Sequence, residues 1–256
     1  MPSSPNFPEW LVVLSWCTLL LGFACSVVIL RDVVRHPQHM AIMNVVWPIT
    51  ALFGTVLVVW AYFRYGRAMA PHAAPRARDT GMGMDMDMKM HMSGKSQTPF
   101  PVMVGKGTLH CGAGCTLGDI AAELLAFFFP AIAIVFGWHW LFAEKIYAVW
   151  ILDFLFAFGF GIIFQYFAIV PMRNLSPGEG IRAALKADSL SLICWQIGMY
   201  GAMYIAQRIF SQAYGHHATA DSPVFWFAMQ LAMIAGFMTS YPANWWLLRA
   251  GIKEKM

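Results

Sequence analysis

Six long apolar runs constrain the fold of this chain more than any other feature of its sequence. Each run has about 20 residues or more, the length that a helix needs to cross a hydrocarbon core of about 30 Å. The runs cover residues 10–30, 41–63, 117–140, 146–170, 189–209 and 224–248. Lipid offers no partner to an unpaired backbone amide, and no run alternates with the period of a barrel strand. The sequence therefore predicts an all-α, polytopic transmembrane bundle of about six spans.

The charged residues predict how the bundle lies in its membrane. Only 12% of the residues are charged, and the basic ones lie at the ends of the apolar runs instead of forming a patch for nucleic acid. With six spans, thirteen of the seventeen Lys and Arg residues fall on the side of both termini. The four on the opposite side are Arg31, Arg35, Lys145 and Arg208. The positive-inside rule then predicts a multi-pass protein of the bacterial inner membrane with both termini in the cytoplasm.

The segment 66–109 divides the chain. It is rich in Pro, Gly and Met, lacks hydrophobic periodicity and cannot bury a core, so it predicts a disordered, Met-rich tether between spans 2 and 3. Residues 1–65 are then a two-span amino-terminal leader, and residues 110–256 are a four-span membrane domain. This division places the start of the third span directly after the tether.

Two cysteines and a histidine stand at that predicted junction, in His110-Cys111-Gly-Ala-Gly-Cys115. The glycines would let the backbone turn so that both sulfurs face one ion, and a helix amino terminus near Cys115 would favour the thiolate. Such a set suits Cu(I), and Zn(II) is the other candidate. The alternative interpretation is a glycine-rich helix entry whose cysteines are only packed.

Methionines form a second candidate metal-binding feature. In the tether they occupy every second position, and the set is Met82, Met84, Met86, Met88, Met90 and Met92. A thioether in an exposed tether gains nothing from packing, whereas its soft sulfur is a ligand for Cu(I). Two Met-x-x-x-Met pairs lie in the last spans: Met199 with Met203, and Met229 with Met233. These pairs predict either a thioether passage or ordinary packing between helices.

Four acidic residues lie at membrane depth, where each costs about 2.5 to 3.5 kcal/mol. Asp119 and Glu123 continue the helical stripe of Cys115 at intervals of four residues. Asp153 has no partner nearby in sequence, whereas Asp188 can pair with Lys186 or Arg182 near the interface. We expect these acids to orient metal ligands or to relay protons.

The four-span block, residues 107–256, resembles the bacterial domain of unknown function family 4396. The resemblance rests on several motifs. They are His110-Cys111-x-x-x-Cys115-x-x-Gly118-Asp119-x-x-x-Glu123, Lys186-Ala-Asp188, Trp195-Gln196, Ser222-Pro-Val-Phe-Trp226 and Ser240-Tyr-Pro-x-Asn244-Trp245-Trp246. The resemblance supports the helical fold and the importance of the thiol motif, and it implies no activity.

The cysteine and methionine features all supply sulfur, a soft metal ligand. The preferred hypothesis is therefore a membrane protein that binds or transports a soft metal ion, Cu(I). Its expected partners are the lipid bilayer, the metal ion and either a copper chaperone or other membrane subunits. A membrane thiol-disulfide or quinone-linked oxidoreductase that uses Cys111 and Cys115 is the alternative. A non-catalytic subunit of a membrane complex is a third hypothesis. The sequence contains no P-loop, Rossmann fingerprint or nucleophile elbow, which excludes the enzyme classes that depend on them.

Overall fold

A computed structural model describes residues 7–38, 40–67 and 98–253 of the chain. In these residues it contains seven α-helices and no β-strand. They are α1 (Glu9–Arg35), α2 (Met43–Ala61), α3 (Phe100–Phe128), α4 (Ile132–Val135), α5 (Lys145–Arg173), α6 (Pro177–Tyr214) and α7 (Pro223–Arg249). Six helical segments are long and apolar enough to cross a membrane, since α2 counts together with the π-helical turn Tyr62–Gly66 that follows it. The predicted all-α membrane bundle is confirmed.

Local signals fix the boundaries of the last three long helices. α6 and α7 each begin with a proline that follows a serine, Ser176 or Ser222, and the Ser176 and Glu179 side chains form a reciprocal capping box. Asn174 directly follows α5 and Gly215 directly follows α6. Both residues have the left-handed conformation that stops a helix. These short-range interactions separate the helices of the membrane domain.

The second apolar segment does not run straight. Thr55 has φ 44° and ψ −127°, which interrupts α2 after about three turns. Beyond Thr55 the chain returns along its own path, because the rings of Trp47 and Tyr62 lie 5.5 Å apart although a straight helix would separate these residues by about 22 Å. Gly66 lies against the Trp47 ring as well. Residues 43–66 therefore form a re-entrant hairpin instead of a straight span.

Both ends of the re-entrant hairpin meet the carboxyl end of α1. At its entrance the Gln38 backbone N–H donates to Asn44 Oδ1, at 2.8 Å. At its exit the Tyr62 hydroxyl donates to Asp32 Oδ2 at 2.8 Å. Arg67 binds both oxygens of the same Asp32 carboxylate at 3.0 Å. The described chain thus leaves the hairpin at the end of the bundle where it entered.

The two ends of the described chain consequently lie at opposite ends of the bundle. Phe7 packs on Tyr214 at the end of α6, with 5.4 Å between ring centroids. Lys253 instead donates to the Gly107 carbonyl in the first turns of α3. We call the end of the bundle where Phe7 lies the Lys145 end, because α5 begins there with Lys145. We call the opposite end the Lys253 end. The expectation that both termini share one side does not fit this fold, because it assumed that the second apolar segment crosses.

Helix α3 begins at Phe100. The sequence placed the start of the third span at Leu117, 17 residues later. The segment 100–109, assigned to the tether, forms its first ten residues. The expectation that Cys115 lies near a helix amino terminus is therefore wrong, and residues 110–119 lie in the interior of α3. The glycines and lysine of this segment made the helix hard to predict from the sequence. In the structure, contacts with α5 and α7 stabilise the helix. The methionines at positions 82 to 92 lie outside the described residues.

Candidate functional site

Glycines bring the backbones of α3 and α5 into direct contact. A Cβ added to Gly114 would lie 2.7 Å from Gly161 Cα, and one added to Gly118 would lie 2.4 Å from Ala157 Cα. These two contacts show that α3 and α5 are antiparallel. A step of four residues forward along α3 corresponds to a step of four residues back along α5. Of the two glycines that the sequence assigned to a tight turn, Gly112 and Gly114, only Gly114 takes part in this close approach.

The same register brings acidic residues together. One turn beyond the Gly118–Ala157 contact, Asp153 of α5 lies level with Ala122 of α3, and therefore between Asp119 and Glu123. The carboxylates interact electrostatically. Asp119 and Asp153 are fully buried and Glu123 is 6% exposed.

These carboxylates have few hydrogen-bond partners among the described residues. The only hydrogen bond that the described residues give them is a long one, 3.5 Å from Gln196 Nε2 to Asp119 Oδ1. Both oxygens of Asp153, Oδ2 of Asp119 and Oε1 of Glu123 have no partner among the described residues. Buried polar atoms are rarely left in this state without a functional reason.

The thiols lie farther along α3, toward the Lys253 end. Cys111 and Cys115 are fully buried, and their side chains lie one turn apart on the helix, close enough to interact. The Trp195 ring covers Gly112 between them and would collide with any side chain at that position. His110 is also buried, but it packs against Phe164 of α5. Its position differs from the shared His-Cys-Cys site that the sequence predicted.

The methionines of both predicted pairs are buried in the same apolar core as the thiols. Met203 is fully buried, and Met199, Met229 and Met233 are at most 4% exposed. The Thr116 hydroxyl, next to Cys115 in sequence, lies 3.6 Å from Met233 Sδ. Within the part of the chain that the structure describes, no three His, Cys, Asp or Glu side chains are grouped to hold a metal ion.

Asp188 has a partner that the sequence did not suggest. The expected pairing with Lys186 or Arg182 is not formed, because Asp188 is fully buried and binds the Lys253 ammonium at 2.5 Å. Lys253 also donates to Asn244 Oδ1 at 2.8 Å. Asn244 continues the hydrogen-bonded network to Ser191 of α6 and to Ser240 of its own helix, α7. This network closes the Lys253 end of the site.

At the other end Lys145 marks the boundary of the site. Its ammonium donates to the Ala126 carbonyl of α3 at 2.9 Å and acts electrostatically on Glu123. Both side chains line a cavity of about 100 Å³ between α3, α5 and the loop before α7. Gly107 and Ala126, the carbonyl partners of Lys253 and Lys145, are 19 residues apart, which corresponds to about 28 Å along a helix.

Ionisable and amide side chains thus follow α3 over nearly the thickness of a hydrocarbon core. We call this set the polar row: Lys145, which is half-buried, and the buried residues Glu123, Asp153, Asp119, Gln196, His110, Gln165, Asp188 and Lys253. Reasoning from the sequence missed four members of the row as site residues: Lys145, Gln165, Gln196 and Lys253. The glutamines could have been found as polar residues inside apolar runs. Lys253 could not, because it lies in a short polar segment after the last run.

The class of protein is now defined: a multi-pass helical membrane protein with a row of buried ionisable residues inside its bundle. The family model for the domain of unknown function DUF4396 matches residues 102–253, more than half of the chain, and the chain belongs to that family. The matched region extends from the first turn of α3 to Lys253 and so contains the whole polar row. No curated protein and no solved structure matches the chain.

Proposed function

We propose that this protein carries a cation across the membrane, and that the cation is a soft metal ion, Cu(I). The observation that carries the proposal is the polar row, which follows α3 from Lys253 to Lys145 inside an otherwise apolar bundle. Each ionised carboxylate at the centre of a membrane helix costs about 2.5 to 3.5 kcal/mol. Asp119, Glu123 and Asp153 together represent a large cost, which positive charge inside the bundle would offset.

Sulfur supports the choice of a soft ion. Two adjacent thiols, Cys111 and Cys115, lie in the same core as four buried thioethers. Thiolate and thioether donors favour Cu(I), whereas structural Zn(II) sites use four ligands of the Cys and His type. The absence of a three-residue His, Cys, Asp and Glu group among the described residues makes Zn(II) the weaker candidate. Full burial of both thiols also makes them poor reagents for exchange with another protein's disulfide.

Copper binding and transport are tested with the full chain, purified under reducing conditions and reconstituted in liposomes. The Cys111→Ser/Cys115→Ser variant should lose bound Cu(I) by elemental analysis, and Cu–S bonds should disappear from its X-ray absorption spectrum. Entry of Cu(I) into the liposomes should fall in parallel. The matched control is Cys17→Ser, because Cys17 is exposed on the outer face of α1.

Two results would contradict the proposal. One is wild-type protein that binds no Cu(I) and carries none across the liposome membrane. The other is the double serine variant retaining the wild-type copper content and flux while Cys17→Ser behaves identically, which would show that Cys111 and Cys115 only pack.

We also propose the inner membrane of a bacterium as the location, with the Lys253 end in the cytoplasm and Phe7 on the outer side. Because α1 ends beside both ends of the re-entrant hairpin, Arg31 and Arg35 join the Lys253 end. Of the twelve Lys and Arg residues in the described ranges, only Lys145 and Arg208 then lie at the opposite end. The ten at the Lys253 end are Arg31, Arg35, Arg64, Arg67, Lys106, Arg173, Arg182, Lys186, Arg249 and Lys253. The positive-inside rule favours this orientation.

A membrane-impermeant maleimide tests the orientation on single cysteines added to exposed positions. Glu9→Cys and Glu144→Cys, at the Lys145 end, should react in intact spheroplasts. Gly178→Cys and Ala41→Cys should react only after the membrane is opened. Ala41 discriminates between the topologies, since a second segment that crosses would place Ala41 on the same side as Glu144. Reaction of Ala41→Cys in intact spheroplasts would therefore refute the topology.

A further inference from the structure

We propose that the carboxyl groups of Glu123 and Asp153 together bind a proton, and that this proton site is reached from the Lys145 end of the bundle. The site lies beyond the sulfur donors to which we assign the metal ion. It contains no thiol or thioether and requires no metal. The proposal therefore goes beyond copper transport and stands independently of it.

The geometry of α3 and α5 places the two carboxyl groups side by side. The Gly118–Ala157 contact sets Asp153 level with Ala122, the residue before Glu123. Asp153 is fully buried and Glu123 is 94% buried. Three of their four carboxylate oxygens have no hydrogen-bond partner among the described residues. A proton held between them would make one group a donor and the other an acceptor, and would remove their mutual repulsion.

The charges around this pair favour protonation. From α3, Asp119 adds a third carboxylate, and Cys115 lies one further turn along the helix. From α5, Lys145 is the one cation among the described residues whose charge acts on Glu123. From α6, Tyr200 faces the cluster, but its hydroxyl donates to the Trp150 carbonyl at 2.9 Å. One ammonium group does not balance three buried carboxylates, so the cluster has to take up positive charge.

A cavity connects the pair to the end of the bundle. It has a volume of about 100 Å³, and both Glu123 and Lys145 line it. Its remaining lining, from α3, α5, the loop before α7 and Phe225, contains no ionisable side chain. Glu123 is the acidic side chain that lines this cavity, whereas Asp153 does not line it. Glu123 is thus placed to exchange protons with water, and Asp153 to share them.

A proton fits the pair better than a hard metal cation does. Ca²⁺ takes about six to eight oxygen ligands and Mg²⁺ demands six in near-octahedral geometry. Glu123 and Asp153 supply four oxygens, and the described residues contain no group of three His, Cys, Asp or Glu side chains that could hold a metal ion. A proton requires one oxygen and gains a second as hydrogen-bond acceptor.

Dicyclohexylcarbodiimide, an apolar reagent that attaches to protonated carboxyl groups, tests this site in the purified full chain without copper. Mass spectrometry of the labelled protein should find the adduct on Glu123 or Asp153. Labelling should fall about tenfold per pH unit once the pH exceeds the pKa of the labelled group. Glu123→Gln and Asp153→Asn should each lower the labelling of the remaining partner. Glu9→Gln, which changes an exposed carboxyl group, should leave the labelling unchanged.

The outcomes separate this site from the sulfur site. Labelling should be the same in Cys111→Ser/Cys115→Ser protein, so a failure of the copper proposal would leave it unaffected. No adduct on either residue from mildly acidic to mildly alkaline pH would overturn the proton site. Loss of labelling on addition of Na⁺ or Ca²⁺ at constant pH would also overturn it, since the pair would then bind a metal cation.

Discussion

Replacing Lys253 by Met tests how the Lys253 end of the bundle is held together. The Lys253 ammonium and the Asp188 carboxylate are both completely buried, and the ammonium has Asn244 and Gly107 as further acceptors. Methionine keeps the length of the side chain but leaves Asp188 as a buried charge without a partner. Removing one member of a buried ion pair costs about 3–5 kcal/mol, and we expect the free energy of unfolding to fall by that amount.

A double-mutant cycle separates the pair from its surroundings. Lys253→Met, Asp188→Leu and the double variant are unfolded in the same detergent, and the free energies of unfolding are compared. The double variant should recover most of the lost stability, because replacing both charges by apolar groups is often nearly neutral. Arg249→Met is the control, since Arg249 stacks on Trp245 near the same end of the bundle without entering the network. A Lys253→Met protein within about 0.5 kcal/mol of wild type would refute the reasoning.

Three further substitutions test the tertiary contacts of the bundle. Gly118→Ala should destabilise the protein by about 1–3 kcal/mol, because the new Cβ meets the Ala157 backbone. Gly105→Ala, in open space on the same helix, should instead be neutral or stabilising by up to about 1 kcal/mol in thermal unfolding. Equal effects would mean that α3 and α5 are not in backbone contact. Gln230→Leu removes the 2.7 Å hydrogen bond to the Leu52 carbonyl, so hydrogen exchange at the turn of the re-entrant hairpin should accelerate. Unchanged exchange there would contradict the assigned role of Gln230.

The candidate site was partly predictable from the sequence. Asp119, Glu123 and Asp153 stand out because acidic residues inside apolar runs are costly, and the structure brings them together. Their proximity depends on the register of α3 against α5, which Gly118 and Ala157 determine through contact between distant parts of the chain. The partner of Asp188, in contrast, was not predictable from the sequence. Its neighbours in sequence suggested an exposed pair, whereas the fold gives it Lys253, 65 residues away.

The second apolar segment shows why hydropathy alone misjudged the topology. Residues 43–66 have the length and apolarity of a full crossing. Hydropathy cannot detect the reversal at Thr55, because both halves of the re-entrant hairpin remain in an apolar environment. The reversal is stabilised by tertiary contacts: Gln230 binds the Leu52 carbonyl near the turn, and Asp32 holds Tyr62 and Arg67 at the exit.

By itself the sequence determined that this chain is a helical membrane protein, because only helices satisfy the backbone of apolar runs of this length in lipid. It also determined that Asp119, Glu123 and Asp153 lie inside apolar runs. The tertiary structure alone decided that α3 begins at Phe100, that the second segment turns back, and that a row of polar side chains follows α3. These features depend on close packing between segments far apart in the chain, which composition and local periodicity do not encode.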